Sequence, residues 1–202
     1  MIRAIAFAPQ PPIIVGATAG SAVHELDDLR SFCSAAITLA AEGCADLVVV
    51  GSRSGIDVGR WLVNQTTVDL PMRELEVSPE SSAQQCRELG RQLAEQATSP
   101  TALLVMGDGS ACRSERSPGY LDDRAIGFDQ RIAAALSTAD REALANVDPQ
   151  LAQELLVAGR APWQVVASAA SASTTADWSG HLMTSQDPYG VSYFVALWRA
   201  DS

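Results

Sequence analysis

The sequence predicts a single α/β domain over residues 1–202, with a central, mostly parallel sheet and helices on both of its faces. Three observations lead there. Short apolar runs rich in β-branched residues alternate with longer stretches of helical periodicity, which is the pattern of βα units. Leu47-Val48-Val49-Val50 and Ala102 to Met106 are near-continuous apolar runs, as expected of strands buried on both faces. Apolar residues make up 47% of the chain and charged ones 19%, which suits a packed core, and no repeat or compositional break marks a linker.

Ile2 to Ala8 is the first strand. From Val23 to Ala41 the apolar residues Leu26, Leu29, Phe32, Cys33, Ala36, Ile37 and Ala40 recur at helical spacing, and Gly43 stands where a C-terminal cap would. Asp46 leads into the second strand, which ends at Gly51 and is followed by an irregular stretch. Met72 to Val77 reads as an edge strand, because Arg73, Glu74 and Glu76 would be costly inside a sheet. Ser78-Pro79-Glu80 opens the next helix, which runs to about Ala97, and Ala102 to Met106 is the following strand. Helical patterns then cover Phe128 to Leu136, Pro149 to Val157 with Asp148 as N-cap, and Pro162 to Ala170 after Gly159. Ala167 to Ala176 reads as a helix end passing into a loop, and Val191 to Trp198 as a last strand after a Pro188-Tyr189-Gly190 turn.

Composition excludes several chemistries. The net charge of −10 opposes binding to nucleic acid and to anionic membrane surfaces. All fourteen basic residues are arginine, so neither a lysine Schiff base nor a phosphate loop of the Walker type can operate. His24 and His181 are the only histidines, and Cys33, Cys44, Cys86 and Cys112 form no C-x-x-C pair, so zinc sites are poor candidates. Isolated thiols, no membrane-length apolar run and an opening segment broken by Pro9, Pro11 and Pro12 lead to the expectation of a cytoplasmic protein. Trp61, Trp163, Trp178 and Trp198 are expected in the core or in the seam of a homo-oligomer.

Ligands of open α/β sheets sit beyond the carboxyl ends of the strands, so the loops at Pro9 to Pro12, Ser52 to Gly55 and Asp108 to Arg124 are the places to look. Gly107-Asp108-Gly109-Ser110 could direct backbone amides at an anion or simply end a strand. Arg53, Arg60, Arg113, Arg116 and Arg124 suit a carboxylate or phosphate ligand, while Glu115, Asp122 and Asp123 could pair with them instead. Cys112 beside Arg113 could be a nucleophile or a small apolar residue.

Together these segments resemble the class III extradiol ring-cleavage dioxygenases, the LigB-like family. Ala8-Pro9-Gln10-Pro11-Pro12 is similar to the family's opening Pro-His-Pro-Pro, and Val49-Val50-Gly51-Ser52-Arg53 to its second strand ending in histidine. Gly107-Asp108-Gly109-Ser110-Ala111, then Pro118-Gly119-Tyr120 and Gly127-Phe128-Asp129, resemble its Gly-Asp-x-Ser-His segment and downstream elements. Gln186-Asp187-Pro188-Tyr189-Gly190-Val191-Ser192-Tyr193 resembles the closing Glu-Ala-Pro-Tyr-Gly-Val-Gly-Tyr. The resemblance implies a LigB-like three-layer fold and an ancestral site holding Fe(II) through two histidines and a glutamate, with a further histidine as acid or base. In this chain those four positions are Gln10, Arg53, Gln186 and Ala111, so neither Fe(II) nor another cofactor is expected.

The expectation is therefore a non-catalytic, metal-free homologue that binds a small anionic or aromatic molecule or serves as a partner subunit. Arg53 would replace the charge of the metal, and Gln10, Ser52, Asp108, Ser110, Arg113, Gln186 and Tyr189 would line the cleft. Two enzymatic alternatives stand beside it: a dioxygenase with a rearranged Fe(II) site using His24 or His181 with a carboxylate, and a metal-free enzyme using Cys112 or Ser110.

Overall fold

The computed structural model describes residues 1–16, 25–173 and 177–201. Strands β1 (Ile2–Ala8), β2 (Asp46–Gly51), β3 (Met72–Glu76), β4 (Thr101–Met106), β5 (Trp178–Gln186) and β6 (Tyr193–Ala200) form one sheet in the order β3-β2-β4-β1-β6-β5. The helices among the described residues are α1 (Asp27–Ala41), α2 (Arg53–Asn64), α3 (Ala83–Gln96), α4 (Arg124–Thr138), α5 (Arg141–Ala145), α6 (Pro149–Glu154) and α7 (Arg160–Ala172), with a short 3-10 turn over Pro12–Ile14. Pairings β1–β4, β2–β4 and β2–β3 are parallel, whereas β1–β6 and β5–β6 are antiparallel. The sheet is thus mixed: three of its five pairings are parallel, as a mostly parallel sheet requires, and both antiparallel ones involve β6.

Alternation along the strands sorts side chains to two faces. Ala4, Ala6, Ala8, Leu47, Val49, Leu104 and Met106 meet α1 and α2 on one side, and the small residues of β1 let α1 lie close. Ile5, Phe7, Val48, Val50, Leu103 and Val105 meet α3, α4 and α7 on the other. Both faces are therefore covered, which explains why β2 and β4 are apolar at almost every position. The chain moves along the sheet in one direction from β1 through β2 to β3 with its helices on one face. It returns through β4 to β5 with its helices on the other, as a constant crossover hand demands. The reversal falls between β1 and β4, whose carboxyl ends are where open α/β sheets form a ligand crevice.

Several elements stand where the sequence puts them. Gly43 has φ +71° just past the end of α1, Asp148 caps α6 through Gln150 and Leu151, and the charged β3 occupies a sheet edge. Others do not. The stretch after Gly51 is α2, disguised by Gly55 and Gly59; a Cβ on Gly59 would stand 2.8 Å from Val49 Cγ1, so the glycine serves close packing on the sheet rather than a break. The third helix begins later than Ser78, because Ser82 and Gln85 form a reciprocal capping box. β5 has no apolar run at all and is specified by its pairing with β6. The start of the first helix at Val23, and part of the Ala167–Ala176 stretch, lie outside the described residues.

Trp163 and Trp198 are fully buried and Trp178 nearly so, which removes them as an exposed oligomer seam. Trp198 stacks edge-on against Phe7 at 4.9 Å and donates from its indole nitrogen to the Leu136 carbonyl at 2.8 Å, so it fastens α4 to the sheet. No helix among the described residues is long and apolar enough to cross a membrane.

α3 and α7 approach so closely that a Cβ on Gly90 would lie 2.2 Å from the Val165 carbonyl oxygen. Gly90→Ala is expected to lower unfolding stability by about 1–3 kcal/mol through overpacking. Gly127→Ala, at a helical position whose Cβ would meet nothing closer than 3.7 Å, is expected to raise it by about 0.5–1 kcal/mol. Urea denaturation of both variants checks the pair, and equal effects would refute the packing account.

Candidate functional site

The crevice between β1 and β4 is lined by the residues that follow each strand. Gly107 donates its N–H to the Ala8 carbonyl at 3.0 Å, extending the β1–β4 ladder by one bond before the chains diverge. Gln10 then donates its backbone N–H to Asp108 Oδ1 at 2.8 Å, which ties the two loops together. From the neighbouring strand end, Ser52 caps α2 by accepting from the Gly55 N–H at 3.2 Å, and its hydroxyl donates to Gln10 Oε1 at 3.5 Å. A Cβ on Gly55 would fall 2.3 Å from that same amide oxygen, so glycine is what lets the Gln10 side chain lie beneath the helix.

Asp108 is the chemical centre of this crevice. Only 9% of it is exposed, and its carboxyl is pushed up to about 7 by burial, against a smaller opposing effect of the Gln10 N–H bond. Among the described residues Oδ2 receives no hydrogen bond, and no cation approaches closely enough to oppose the shift. Cys33 on α1 is raised to about 12, first by burial and then by Asp108. Tyr193 at the start of β6 is 2% exposed, and its phenol is raised by burial, then by Asp108 and Tyr189. Strand ends and a covering helix thus converge on one buried carboxyl.

A second polar cluster is built around Asp129 on α4, on the far side of the same turn. Its Oδ1 accepts from the Ser110 N–H at 2.9 Å, and its Oδ2 accepts from the Ser110 hydroxyl at 2.5 Å and the Ser192 hydroxyl at 2.6 Å. Arg113 stands 3.5 Å from the same oxygen and donates to Asp187 Oδ2 at 3.0 Å. Gly109 is hemmed in by Phe194, Asp129 and Ser192, each less than 3 Å from where a Cβ would be. The Gly-Asp-Gly-Ser turn does hold an anion, but the anion is the protein's own carboxylate. Beside it a cavity of about 130 Å³ is lined by Arg113, Asp129, Gln186, Asp187 and Ser192. Gln186 donates to Thr184 Oγ1 at 3.2 Å within β5.

The eight residues expected to line one cleft therefore separate. Gln10, Ser52 and Asp108 share the crevice, while Ser110, Arg113 and Gln186 surround Asp129. Tyr189 lies in an adjoining groove and donates its hydroxyl to Glu25 at 2.8 Å. Arg53 leaves the site altogether: it is 69% exposed and pairs at 2.7 Å with Glu76 on the edge strand, so it does not stand in for a metal charge. Arg60 and Arg124 are likewise paired with Glu74 and Asp57, and with Asp122 and Glu154. Four of the five rim arginines are thus held in ion pairs, whereas Arg116 makes none among the described residues and lines the groove beside Tyr189.

The candidate nucleophiles fare no better. Cys112 is buried, its thiol points at the Gly119 carbonyl at 3.6 Å, and burial together with Asp122 and Asp129 raises it away from thiolate. Ser110 is completely buried with its proton committed to Asp129. His181 lies exposed in β5, and His24 is outside the described residues. Sequence reasoning does not single out Asp129, Ser192, Tyr193 or Cys33 as site residues. Asp129 alone leaves a signal there, a carboxylate on the helical face that also carries Ala125, Phe128, Ile132 and Leu136.

No family model and no curated protein matches the chain. Among solved structures it is similar to the crystal structure of the uncharacterized protein JW3007 from Escherichia coli K12. The TM-score is 0.54 at 13% identity, covering 98% of this chain and 99% of that one. At that identity the likeness speaks of the fold alone.

Two outcomes follow from this geometry. Asp129→Ala strands two hydroxyls, an amide and a guanidinium, and is expected to cost about 3 kcal/mol or more, whereas Arg53→Ala should leave the unfolding midpoint unchanged. Chemical denaturation of the two side by side distinguishes them.

For Asp108 the folded carboxyl titrates near 7 and the unfolded one near 3.8, so between these values the folded state holds the extra proton and stability falls as pH rises. Asp108→Asn is expected to gain on the parent by a few kcal/mol between pH 4 and pH 8. Denaturation curves at both pH values read this directly, and parallel curves would refute the buried carboxyl.

Proposed function

We propose that this protein is a LigB-like relative of the extradiol dioxygenases that has given up metal-dependent ring cleavage and binds a small molecule at the crevice between β1 and β4. The order of four motif segments along the chain supports the kinship, and the crevice stands where such folds place ligands. One observation carries the loss of chemistry. The positions matching the ancestral metal site offer two carboxamides, a methyl group and a guanidinium, where hard divalent iron takes imidazole and carboxylate donors.

Their placement agrees with that donor set. Gln10 is held beneath Gly55, Arg53 reaches out to Glu76, Ala111 donates its backbone N–H to the Leu155 carbonyl at 2.9 Å, and Gln186 is turned to Thr184. These residues do not fit Fe(II). What remains is a recognition site: a buried carboxyl, a primary amide and a phenol at the ends of three neighbouring strands. Arg53 and Arg113 are both neutralised by acidic partners, so neither brings a free positive charge to the crevice.

The reading is tested by loading the protein with Fe(II) under anaerobic conditions, dialysing, measuring retained iron, and then adding catechol or protocatechuate with oxygen. Retained iron well below one per chain and no ring-cleavage product above a protein-free blank are expected. Stoichiometric iron with turnover would return the protein to the oxygenases.

A further inference from the structure

We infer that the crevice at Asp108 is a binding site for a small organic cation, an ammonium group whose charge and N–H donors meet the open oxygen of that carboxyl. The inference rests on the small-molecule reading above and specifies the ligand class. Asp108 is 9% exposed, Oδ1 is engaged by the Gln10 N–H, and Oδ2 has no hydrogen bond among the described residues. Buried carboxylates are ordinarily paired or fully hydrogen-bonded. Here one oxygen is engaged and the other is left open to a donor at the strand ends.

The surroundings choose the sign of that partner. On α1 the titratable neighbour is the neutral thiol of Cys33, and on β6 it is the neutral phenol of Tyr193. Arg30 on α1 is turned to the carbonyls of Ile13 and Ile14 and to Asp27, and Arg53 at the start of α2 is turned to Glu76. Among the described residues no cation therefore serves Asp108, whose titration is shaped by burial and the Gln10 N–H. Tyr193 is buried and has no hydrogen bond among the described residues, so its hydroxyl offers an acceptor as well as a donor. The net charge of −10 favours the approach of cations at long range.

The test uses the full chain with methylammonium, n-butylammonium and benzylammonium, each beside its alcohol and its carboxylate counterpart, with binding followed by protein NMR at millimolar concentrations. At pH 8 at least one ammonium compound is expected to bind tenfold or more tightly than its neutral and anionic counterparts. Its affinity should fall about tenfold per pH unit below 7 as the carboxyl takes up a proton. Asp108→Asn, which keeps the shape, should lose tenfold or more in affinity and abolish the pH dependence.

An equal or greater preference for alcohol or carboxylate, binding unaltered in Asp108→Asn, or no ammonium binding at all would overturn the inference. The pH series on the parent protein decides the matter even if the variant does not fold. Iron content on the same preparation separates the two readings. One iron per chain sinks the metal-free reading, whereas silent ammonium probes on iron-free protein sink only the choice of ligand.

Discussion

The carboxylate of Asp129 is the constraint on which the carboxyl-end architecture depends. It lies on α4, yet its partners come from the turn after β4 through Ser110 and from the start of β6 through Ser192, with Arg113 closing the fourth side. Three segments far apart in sequence are thereby held at one point. Charge-assisted hydrogen bonds from buried hydroxyls are short and directional, so they fix orientation as well as distance. The exit path of β4, and with it the direction in which Asp108 faces, follows from this anchor.

The ion pairs explain why a chain with fourteen arginines and a strand-end crevice is nonetheless poorly suited to anions. Two arginines near the crevice mouth have found carboxylates: Arg53 has Glu76, and Arg113 has Asp129 and Asp187. Most of these pairs are exposed and contribute little to stability individually. Their effect is on the local field, which they neutralise at the rim while leaving a lone carboxyl inside. The sequence places basic residues in the right loops but says nothing of where their guanidinium groups point.

Much of the framework is legible from residue order. The apolar runs of β1, β2 and β4 announce themselves because both of their faces are buried, and the charges of β3 mark an edge. α2 is hidden because Gly55 and Gly59, which read as loop residues, are there to admit Gln10 and Val49. β5 is hidden because Ser, Gly, His and Thr dominate it and only the partner strand makes it a strand. Likewise, the crevice can be placed from the loops after β1, β2 and β4, while the division of the eight expected residues among the crevice, the Asp129 cluster, the groove and the surface depends on side-chain directions. Arg53 shows the limit most clearly: adjacent to Ser52 in sequence, it parts from the site at the first turn of α2.

Asp108 is flanked by two glycines that are immobile for steric rather than conformational reasons. A Cβ on Gly107 would strike Gly159 Cα at 2.4 Å, and one on Gly109 would crowd Phe194. A carboxyl mounted on so tightly packed a turn would hold its orientation before any proposed guest arrived. Little conformational entropy would be lost on capture, and the same stiffness would make the pocket strict about fit: a guest one methylene too large would find no loop able to yield.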